Sequence, residues 1–585
     1  MSPVHVVVAG HGMVGARFAE EVRRHDPEGS RVRLTVLAAE PRPAYNRVLL
    51  PNLLSGVLKE EDFATTVVAG LPVITGQKER SNPNGSVLHA DAPMTLRLRT
   101  TVTGIDPASK TVLVRTGGTG GPPLASTRDH ARAGADTLSG AWTTERIGYD
   151  VLVLATGARA AVPPLPGLLA REDDDRADPP RALGALLAGV SSRSGQAADA
   201  GSGAPGREAR FRSDDRLSAD VAALHSLADA RRIAAFAQAA RRTGGQVAVL
   251  GGGVLGLEAA RALAARGTAV TVVHRGGHLM DRQLDAAAGR VLAAAVRRTG
   301  VGVSLGTGAA RWESGRGLWL TDGRLVKADG LLLCTGTVPC AELARDAGLR
   351  LTGSGAVAVD DTLATSVSGI YAIGDCAGHP GAADGLVQPG WEQAAVLASR
   401  LTGISAKARY RGSGAVTRLK AAGIELTAVG AALNEPGLDG DLEVLRFEDP
   451  ARERYAKLVL SADRVVGAIL IGLPDAAAGV VQLYDRDAAA PADRLALLLG
   501  RALPPESGGG SRPAALPDYA VVCRCNMVTK GQLRDAWYGG ACGRAALSSA
   551  TRAATGCGTC GDDLETIAAW LAETDPNQEK EPALR

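Results

Sequence analysis

Hydrophobic positions near the start of the chain form two apolar runs that flank an amphipathic stretch. The first run, from Val4 to Ala9, is typical of a strand buried on both faces of a parallel sheet. A glycine turn, an amphipathic stretch at 16–24 and a second apolar run at 32–38 follow. This order of strand, helix and strand predicts a βαβ unit.

The same pattern returns at residues 246–274. QVAVL is the first strand, GGGVLG the turn, LEAARALAARG the helix and AVTVV the second strand. Two such units predict an α/β fold with two Rossmann-like, dinucleotide-binding domains. After residue 400, the runs LEVLRFE, YAKLVLSADRVVGAILIG and VVQLY predict strands of a smaller α+β domain. VTKGQLRDAW and DDLETIAAWLAE predict helices in a last module.

Changes in composition divide the chain into domains and linkers. Two stretches rich in Gly, Ser, Ala, Asp and Pro, at about 117–144 and 170–219, predict insertions that bury too little apolar surface to order themselves. LPPESGGGSRPAALPD is typical of a linker. The predicted division is 1–243 and 331–400 for the two parts of the first nucleotide domain, 244–330 for the second, 401–500 for the α+β domain, 501–518 for the linker, 519–573 for the helical module and 574–585 for a tail.

Length and charge exclude several classes of protein. The 585 residues predict about four domains. The chain has 65 basic and 62 acidic side chains, which leave a net charge of +3. It therefore lacks the basic excess of a nucleic-acid-binding protein. No apolar run approaches the roughly 20 residues of a membrane helix, and no signal peptide is recognisable at the start. We therefore expect a cytoplasmic protein without a membrane or nucleic-acid partner.

The first glycine turn has the spacing GxGxxG. Gly10 permits the tight turn, Gly12 lets a pyrophosphate approach the backbone, and Gly15 lets the helix pack on the strand. Glu40, beyond the second strand, could accept hydrogen bonds from a ribose, although its interval from Gly10 exceeds the usual ~20 residues. The alternative is a structural glycine turn with a surface glutamate.

The second glycine turn contains Gly251, Gly253 and Gly256. Its second strand closes on His274 and Arg275 instead of the acid that selects an unphosphorylated ribose. Since an arginine can pair with a 2′-phosphate, NADPH is predicted without excluding NADH. The alternative is that Arg275 is only solvated.

Three further strands end in small residues that permit close approach of a cofactor. They are YDVLVLATGARA at 149–160, ADGLLLCTGTVP at 328–339 and GIYAIGDCAG at 369–378. Asp375 in the last of these could bind a polyol hydroxyl.

Together these motifs resemble the glutathione-reductase-like flavoproteins, also called the pyridine nucleotide-disulfide oxidoreductase fold. The resemblance implies that FAD is held by Gly10, Gly12, Gly15, Glu40, Thr156, Gly157, Gly374 and Asp375. It implies that NAD(P)H is held by Gly251, Gly253, Gly256, Glu258, His274 and Arg275. The family's redox-active cysteine pair after the first helix has no counterpart before Cys334. We interpret Cys334, Cys340, Cys376 and Cys542 as small hydrophobic residues.

A narrower resemblance is carried by PRPAYNRVLLPNLLSG at 41–56, HLMDRQLD at 278–285 and GLVQPGWEQAAVLA at 385–398. These segments resemble the flavoprotein half of assimilatory NAD(P)H nitrite reductases and the electron-transfer subunits of assimilatory nitrate reductases. The resemblance implies that Arg47 and Trp391 lie on the flavin side, with Arg47 as the charge that stabilises reduced flavin. Hydride transfer to flavin requires no acid, base or nucleophile, so no catalytic residue is assigned.

Four cysteines in two close pairs, Cys523 with Cys525 and Cys557 with Cys560, predict a metal or cluster site. We expect Arg524, Lys530, Arg552 and helix N-termini to offset the thiolate charge. The CxC…CxxC pattern resembles the bacterioferritin-associated-ferredoxin-like (BFD-like) [2Fe–2S] domain. A four-cysteine zinc site is the competing interpretation.

These expectations combine into one path, from NAD(P)H through FAD and the cluster to a separate terminal reductase. No further cysteine motif for a sirohaem module follows residue 560, and the resemblance makes a molybdenum nitrate reductase the leading partner. The alternatives are a reductase serving nitrite reductase, ferredoxin or rubredoxin, or a zinc-stapled redox-responsive scaffold protein. A homodimer is compatible with the chain, and the residues decide neither the oligomeric state nor NADH against NADPH.

Overall fold

A computed structural model describes most of the chain outside the predicted insertions and linker. The described residues are 2–60, 73–74, 93–117, 142–169, 217–381, 385–414, 416–421, 423–436, 441–500, 516–523, 528–554 and 560–575. The insertion residues 118–141 and 170–216, linker residues 501–515 and tail residues 576–585 lie outside these ranges. None of the helices within them is long and apolar enough to cross a membrane.

The first nucleotide unit is a six-stranded parallel sheet in the order β20-β8-β1-β2-β4-β3. Its strands are β1 Val4–Ala9, β2 Val32–Leu37, β3 Val73–Ile74, β4 Met94–Arg97, β8 Val151–Leu154 and β20 Ile370–Ala372. Helix α1, Met13–His25, connects β1 to β2. The apolar run of β1 is buried from Val6 onward because the sheet is covered on both faces. The predicted βαβ unit is confirmed.

Other elements complete this unit around the sheet. A three-stranded antiparallel sheet is formed by β5 Thr100–Asp106, β6 Thr111–Gly117 and β7 Trp142–Gly148. The helices of this unit are α6 Glu342–Asp346 and α7 Val387–Leu401, with 3₁₀ turns at Arg47–Leu49 and Gly374–Cys376. Helix α2, Leu50–Ser55, instead packs into the core of the second nucleotide unit. The short strands β19 Val357–Ala358 and β21 Ala377–Gly378 pair in parallel.

The second nucleotide unit is a five-stranded parallel sheet in the order β10-β17-β11-β12-β13. Its strands are β10 Val221–Ala223, β11 Gln246–Leu250, β12 Ala269–His274, β13 Gly302–Leu305 and β17 Gly330–Leu333. Its helices are α3 Leu227–Thr243, α4 Val254–Ala265 and α5 Ala286–Arg298. An antiparallel sheet of β14 Ala309–Glu313, β15 Gly317–Leu320 and β16 Leu325–Lys327 extends the unit. Because β10 pairs with β17, this sheet begins near residue 221 and not at the predicted boundary of 244.

Two paired strands connect the nucleotide units. β9 Ala158–Ala160 leaves the first unit and β18 Thr337–Pro339 returns to it, and the two pair antiparallel. The Thr156 hydroxyl donates to the Cys340 carbonyl over 2.6 Å, and the Thr335 hydroxyl donates to the Ala161 carbonyl. Thr156, which precedes β9, therefore binds the segment after β18, and Thr335, which precedes β18, binds the segment after β9.

The α+β unit is a five-stranded antiparallel sheet in the order β22-β23-β26-β25-β24. Its elements are β22 Val416–Ala421, β23 Ile424–Gly430, β24 Glu443–Asp449, a 3₁₀ turn Pro450–Arg452, β25 Arg454–Ser461, β26 Arg464–Ile471, α8 Pro474–Asp485 and α9 Arg494–Leu498. The strands predicted from LEVLRFE and YAKLVLSADRVVGAILIG are confirmed.

The strand predicted from VVQLY is wrong. These residues lie in α8, which begins at Pro474 with Asp475 in its first turn. Proline is favoured at the first helical position and an acid favours the helix N-terminus. Val480 and Val481 are buried against the sheet, so the apolar pair belongs to a helix face. Short apolar runs do not distinguish a strand from a buried helix.

The last module contains a short antiparallel pair and three helices. These elements are β27 Val521–Cys523, β28 Val528–Thr529, α10 Lys530–Tyr538, α11 Arg544–Thr551 and α12 Gly561–Thr574. The two predicted helices are confirmed as α10 and α12. Thr529 and Gln532 form a reciprocal capping box that begins α10. A small core forms around Leu533, Leu547 and Leu564.

A buried polar network fastens the second nucleotide unit to the antiparallel sheet. Asp285 accepts from the Ala288 N–H over 2.9 Å and so begins α5. Its other oxygen accepts from the Tyr455 hydroxyl over 2.6 Å. The fully buried Lys457 ammonium is 3.9 Å from the same carboxylate and 2.8 Å from Glu435. The motif HLMDRQLD thus ends on a residue with a structural role.

Asp285→Ala should lower the free energy of unfolding by about 2–4 kcal/mol. Loss of the helix cap costs about 1 kcal/mol, and leaving the buried Tyr455 hydroxyl without its acceptor adds about 1–3 kcal/mol. Urea denaturation followed by circular dichroism measures the loss. Asp493→Ala is the matched control, because Asp493 caps α9 at Ala496 over 2.9 Å without a second unit attached. Equal losses in both variants would contradict the fastening role.

Candidate functional site

The first glycine turn has no room for side chains on the side facing the sheet. A Cβ on Gly10 would lie 2.2 Å from the Ala155 carbonyl oxygen, and one on Gly15 would lie 2.2 Å from the Gly10 carbonyl oxygen. Gly10 also has a φ of +116°, which favours glycine. A Cβ on Gly12 would meet nothing within 4 Å. The turn is therefore closed toward β8 and open at Gly12, where α1 begins.

The second glycine turn repeats this geometry. A Cβ on Gly251 would lie 2.1 Å from the Cys334 carbonyl oxygen, and one on Gly256 would lie 2.0 Å from the Gly251 carbonyl oxygen. Gly253, at the start of α4, again faces open space. Both turns present helix N–H groups to an open side, which suits the anionic pyrophosphate of a dinucleotide. Glu258 lies half-buried in the second turn of α4.

His11, inside the first glycine turn, was not singled out by the sequence. Its Nδ1 accepts from the Ala44 N–H over 3.1 Å, so in the neutral ring the proton is on Nε2. Burial lowers its pKa to about 4, which keeps the ring neutral at pH 7. Nε2 is buried and, among the described residues, has no hydrogen-bond partner. An orphaned donor beside an open phosphate-type cradle fits a bound group with acceptor oxygens.

Glu40 and Arg47, both predicted for the first nucleotide, are brought together. Glu40 lies beyond the end of β2, and the Arg47 guanidinium donates to its carboxylate. Arg47 also donates to the His225 carbonyl over 3.1 Å and lies over the Tyr45 ring. The Arg47 charge is therefore paired with the expected ribose acceptor, and its place on the flavin side stays a prediction.

The remaining residues predicted for the first nucleotide lie along the same edge. Gly157 has a φ of +68° with open space on its Cβ side, and Gly374, with a φ of +76°, donates to Gln393 over 2.7 Å. Asp375 is exposed in the adjoining 3₁₀ turn. Trp391 in α7 is 9% exposed and donates to the Met13 carbonyl over 3.2 Å. Of these residues, Gly374 and Trp391 contact the N-terminal end of α1, at Val14 and Met13.

Asp281, a carboxylate that the sequence did not assign, lies beside the end of β12. His274 Nδ1 accepts from the Gly252 N–H over 3.3 Å, and its Nε2 is 3.4 Å from Asp281. Burial lowers the pKa of His274, and Asp281 opposes that shift. Arg275 is exposed next to this pair. An arginine and an acid are thus both near the position that reads the nucleotide ribose.

The thiol module is only partly described. Cys523 and Cys560 are both buried in its core, while Cys525 and Cys557 lie outside the described residues, as does Arg524. Two soft thiol donors converging in one small core, each with a second cysteine close in sequence, fit a cluster or a soft metal ion. Among the described residues no group of three metal-binding side chains is found.

The cations expected to offset the thiolates have other partners. Lys530 donates to the Leu516 carbonyl over 2.6 Å and lies over the Trp570 ring. Arg552 forms an ion pair with Glu20 of α1. Lys530 and Arg552 therefore make structural contacts, and their role in offsetting the thiolate charge stays a prediction.

The other described cysteines do not form a reactive site. Burial raises the pKa of Cys334 to about 12 and that of Cys340 to about 11. Cys376 is fully buried, and burial raises its pKa too. Because the thiolate is the nucleophile, these three thiols are inert at pH 7. Cys542 is exposed, which is contrary to its interpretation as a buried hydrophobic residue.

Models of three protein families match the chain. The family described as pyridine nucleotide-disulphide oxidoreductase matches residues 4–188 and 195–397, which is more than half of the chain. The rubredoxin NAD+ reductase C-terminal domain matches 416–478, and the BFD-like [2Fe-2S] binding domain matches 521–570.

Curated relatives are similar over nearly the whole chain. A nitrite reductase [NAD(P)H] of Bacillus subtilis is 28% identical over 97% of this chain and 58% of its own length. A nitrite reductase [NAD(P)H] large subunit of Klebsiella oxytoca is 30% identical over 95% and 48%. An assimilatory nitrate reductase electron transfer subunit of Bacillus subtilis is 26% identical over 98% and 61%. The chain thus spans about half to three fifths of these relatives.

Solved structures share the fold. A NAD-dependent persulfide reductase from A. fulgidus has a TM-score of 0.57 at 22% identity, covering 82% of this chain and 76% of that one. The reductase of a covalent putidaredoxin reductase–putidaredoxin complex has a TM-score of 0.56 at 19% identity, covering 88% and 97%. At these identities the likeness concerns the fold alone.

Replacing His11 should weaken binding of the first nucleotide. His11→Leu removes the buried Nε2–H donor, so we expect about tenfold weaker flavin binding. His11→Asn is the control, because its amide can accept from the Ala44 N–H and still donate. Flavin dissociation constants follow from fluorescence of released flavin. Equal affinities for the Leu and wild-type proteins would show that Nε2 meets no cofactor oxygen.

Proposed function

Because the chain belongs to the pyridine nucleotide-disulphide oxidoreductase family, we propose that it delivers electrons from NAD(P)H to a separate terminal reductase of nitrate or nitrite assimilation. The family assignment makes it an NAD(P)H-dependent, FAD-containing oxidoreductase, and its C-terminal domain is a BFD-like [2Fe–2S] domain. When bound, FAD would supply the exchange between a hydride taken from NAD(P)H and single electrons, the form that a [2Fe–2S] cluster accepts.

The residues proposed for each cofactor follow from the site geometry. Gly12 and the start of α1 would receive the FAD pyrophosphate, and His11 would donate to one of its oxygens. Glu40 would accept from the ribose while Arg47 holds its carboxylate in place. The role of Arg47 beside reduced flavin stays a prediction.

For the nicotinamide nucleotide, Gly253 and the start of α4 would receive the pyrophosphate. Cys523, Cys525, Cys557 and Cys560 would hold the cluster. No residue of this chain is proposed as an acid, base or nucleophile.

One observation carries the proposal: two copies of the same glycine cradle and a two-thiol core occur in one chain. The cradles suit two dinucleotides, and the module suits a one-electron carrier. Similarity over most of this chain to a protein named assimilatory nitrate reductase electron transfer subunit favours nitrate reductase as the acceptor. The match to a rubredoxin reductase C-terminal domain makes rubredoxin the second candidate.

Anaerobic titration with NADPH tests the carriers, and reconstitution tests the acceptor. The proposal expects flavin absorption to bleach and a paramagnetic [2Fe–2S] signal to appear in spin resonance. Addition of purified nitrate reductase should then reoxidise the protein and yield nitrite from nitrate. A colourless protein containing zinc would overturn the electron path and support a scaffold. Rapid reoxidation by rubredoxin, ferredoxin or nitrite reductase, with none by nitrate reductase, would replace the acceptor.

Arg275→Glu should shift the preference for kcat/KM toward NADH by about tenfold or more, because a charge-assisted contact to the 2′-phosphate becomes a repulsion. Arg290→Glu is the control, since it makes the same charge change at an exposed position of α5. Kinetics with both nucleotides and an artificial electron acceptor measure the ratio. An unchanged ratio would show that Arg275 does not read the phosphate and would leave Asp281 as the nearest charged side chain to His274.

A further inference from the structure

The thiol module contacts the first nucleotide unit at one face of α1. Arg552, which follows α11, forms an ion pair with Glu20. Arg17 lies one turn earlier on α1, and burial together with the Arg17 charge lowers the pKa of Arg552 to about 10. The Arg552 guanidinium of the module is thus paired with a carboxylate of α1. This pair favours the docked position, because separating the units would leave Glu20 and Arg552 without their partner charges, while the Arg17 cation opposes it weakly.

Arg17 lies over the ring of Trp391, the tryptophan predicted for the flavin side, and interacts electrostatically with a thiol of the module. Its guanidinium carbon is 5.9 Å from the centre of the Trp391 ring, and its Nη2 is 2.8 Å from Glu21. Burial lowers the pKa of Arg17, while the charges of Glu21 and Cys523 raise it. The charge of Arg17 therefore interacts with that of Cys523, and its guanidinium makes a cation–π contact with Trp391.

Trp391 continues the contact toward the glycine–aspartate turn. Its indole N–H donates to the Met13 carbonyl at the start of α1. A Cβ on the preceding Gly390 would lie 2.5 Å from the Val14 side chain and 3.2 Å from Gly374. Close contacts thus lead from the turn that is proposed to hold FAD to α1, the helix whose Glu20 pairs with the module.

The module also contacts the antiparallel-sheet unit. The Arg486 guanidinium lies 5.2 Å from the Tyr519 ring. Burial raises the pKa of Asp563 in α12, and the Arg418 cation of β22 opposes that shift. The module therefore has contacts with both units.

We propose that this face of α1 is the intramolecular electron-transfer interface, in which the Glu20–Arg552 pair holds the module and Arg17 sets the potential of the cluster. The inference rests on the proposed [2Fe–2S] electron path. Each electron that reaches a thiolate-bound cluster adds a negative charge, and a nearby cation stabilises the reduced form. Because Arg17 is mostly buried, with a side chain 15% exposed, solvent screens its charge weakly.

Reduction potentials of the cluster test the role of Arg17. In the full-length holoprotein, Arg17→Gln should shift the potential, followed by spin resonance during redox titration, to a more negative value. Arg17→Lys should keep it near the wild-type value. Arg24→Gln is the matched control, because Arg24 is on the same helix and also pairs with Glu21 but is 69% exposed. A potential unchanged in Arg17→Gln, or shifted equally in Arg24→Gln, would overturn the assignment.

A charge swap tests the docking pair. Glu20→Arg or Arg552→Glu should slow reduction of the cluster after mixing with NADPH by about fivefold or more, while flavin reduction keeps its rate. The double variant should return to within about twofold of wild type. Glu28→Arg, an exposed change in the turn after α1, is the control. Flavin and iron contents measured for each variant exclude misfolded samples.

The outcomes separate this inference from the proposed function. If the wild-type protein never shows a paramagnetic cluster, the electron path itself fails. If the wild-type cluster is reduced normally and the swap variant is no faster than the single variants, the docking pair fails alone.

Discussion

The close approach between each glycine turn and a neighbouring strand is the constraint on which the rest of the structure depends. Gly10 lies against the Ala155 carbonyl and Gly251 against the Cys334 carbonyl, so neither position has space for a Cβ. In each unit this contact brings the start of a helix to the carboxyl edge of the sheet. The helix N–H groups then face the open side where a pyrophosphate is expected. One steric rule, applied twice, thus shapes both predicted nucleotide sites.

Charged pairs fasten the other units to this frame. Asp285 joins a helix start, a tyrosine hydroxyl and a buried lysine across two units, and Glu20 joins α1 to the thiol module. Buried or half-buried ion pairs of this kind contribute modest net stability but specify geometry strongly. The antiparallel sheet shares one hydrophobic core with the second nucleotide unit, and the polar pairs add to this apolar packing in placing the units.

Local features of the site were predictable from sequence and long-range ones were not. The glycine turns and strand ends were predicted because their requirement concerns backbone within a few residues. VVQLY was assigned to the wrong element because a five-residue apolar run carries no decisive period. The early start of the second sheet was missed because β10 is three residues long and follows an insertion.

Side chains that meet through a loop or across the whole chain account for the remaining differences. Asp281 reaches His274 through a loop, Arg47 turns back to Glu40, and Arg552 pairs with Glu20 from the far end of the chain. Nothing in the local spacing of these residues reports such meetings. His11 lies within the recognised glycine motif but was not predicted as a site residue. Its tautomer is set by a hydrogen bond from the Ala44 N–H, which the local sequence does not indicate.

The ribbon formed by β9 and β18 has a mechanical consequence. Its two strands hydrogen-bond to each other, and the segment after each strand accepts from a threonine hydroxyl of the other crossing. The chain therefore joins the two nucleotide units at two coupled points, so any change in their relative orientation has to move both crossings together.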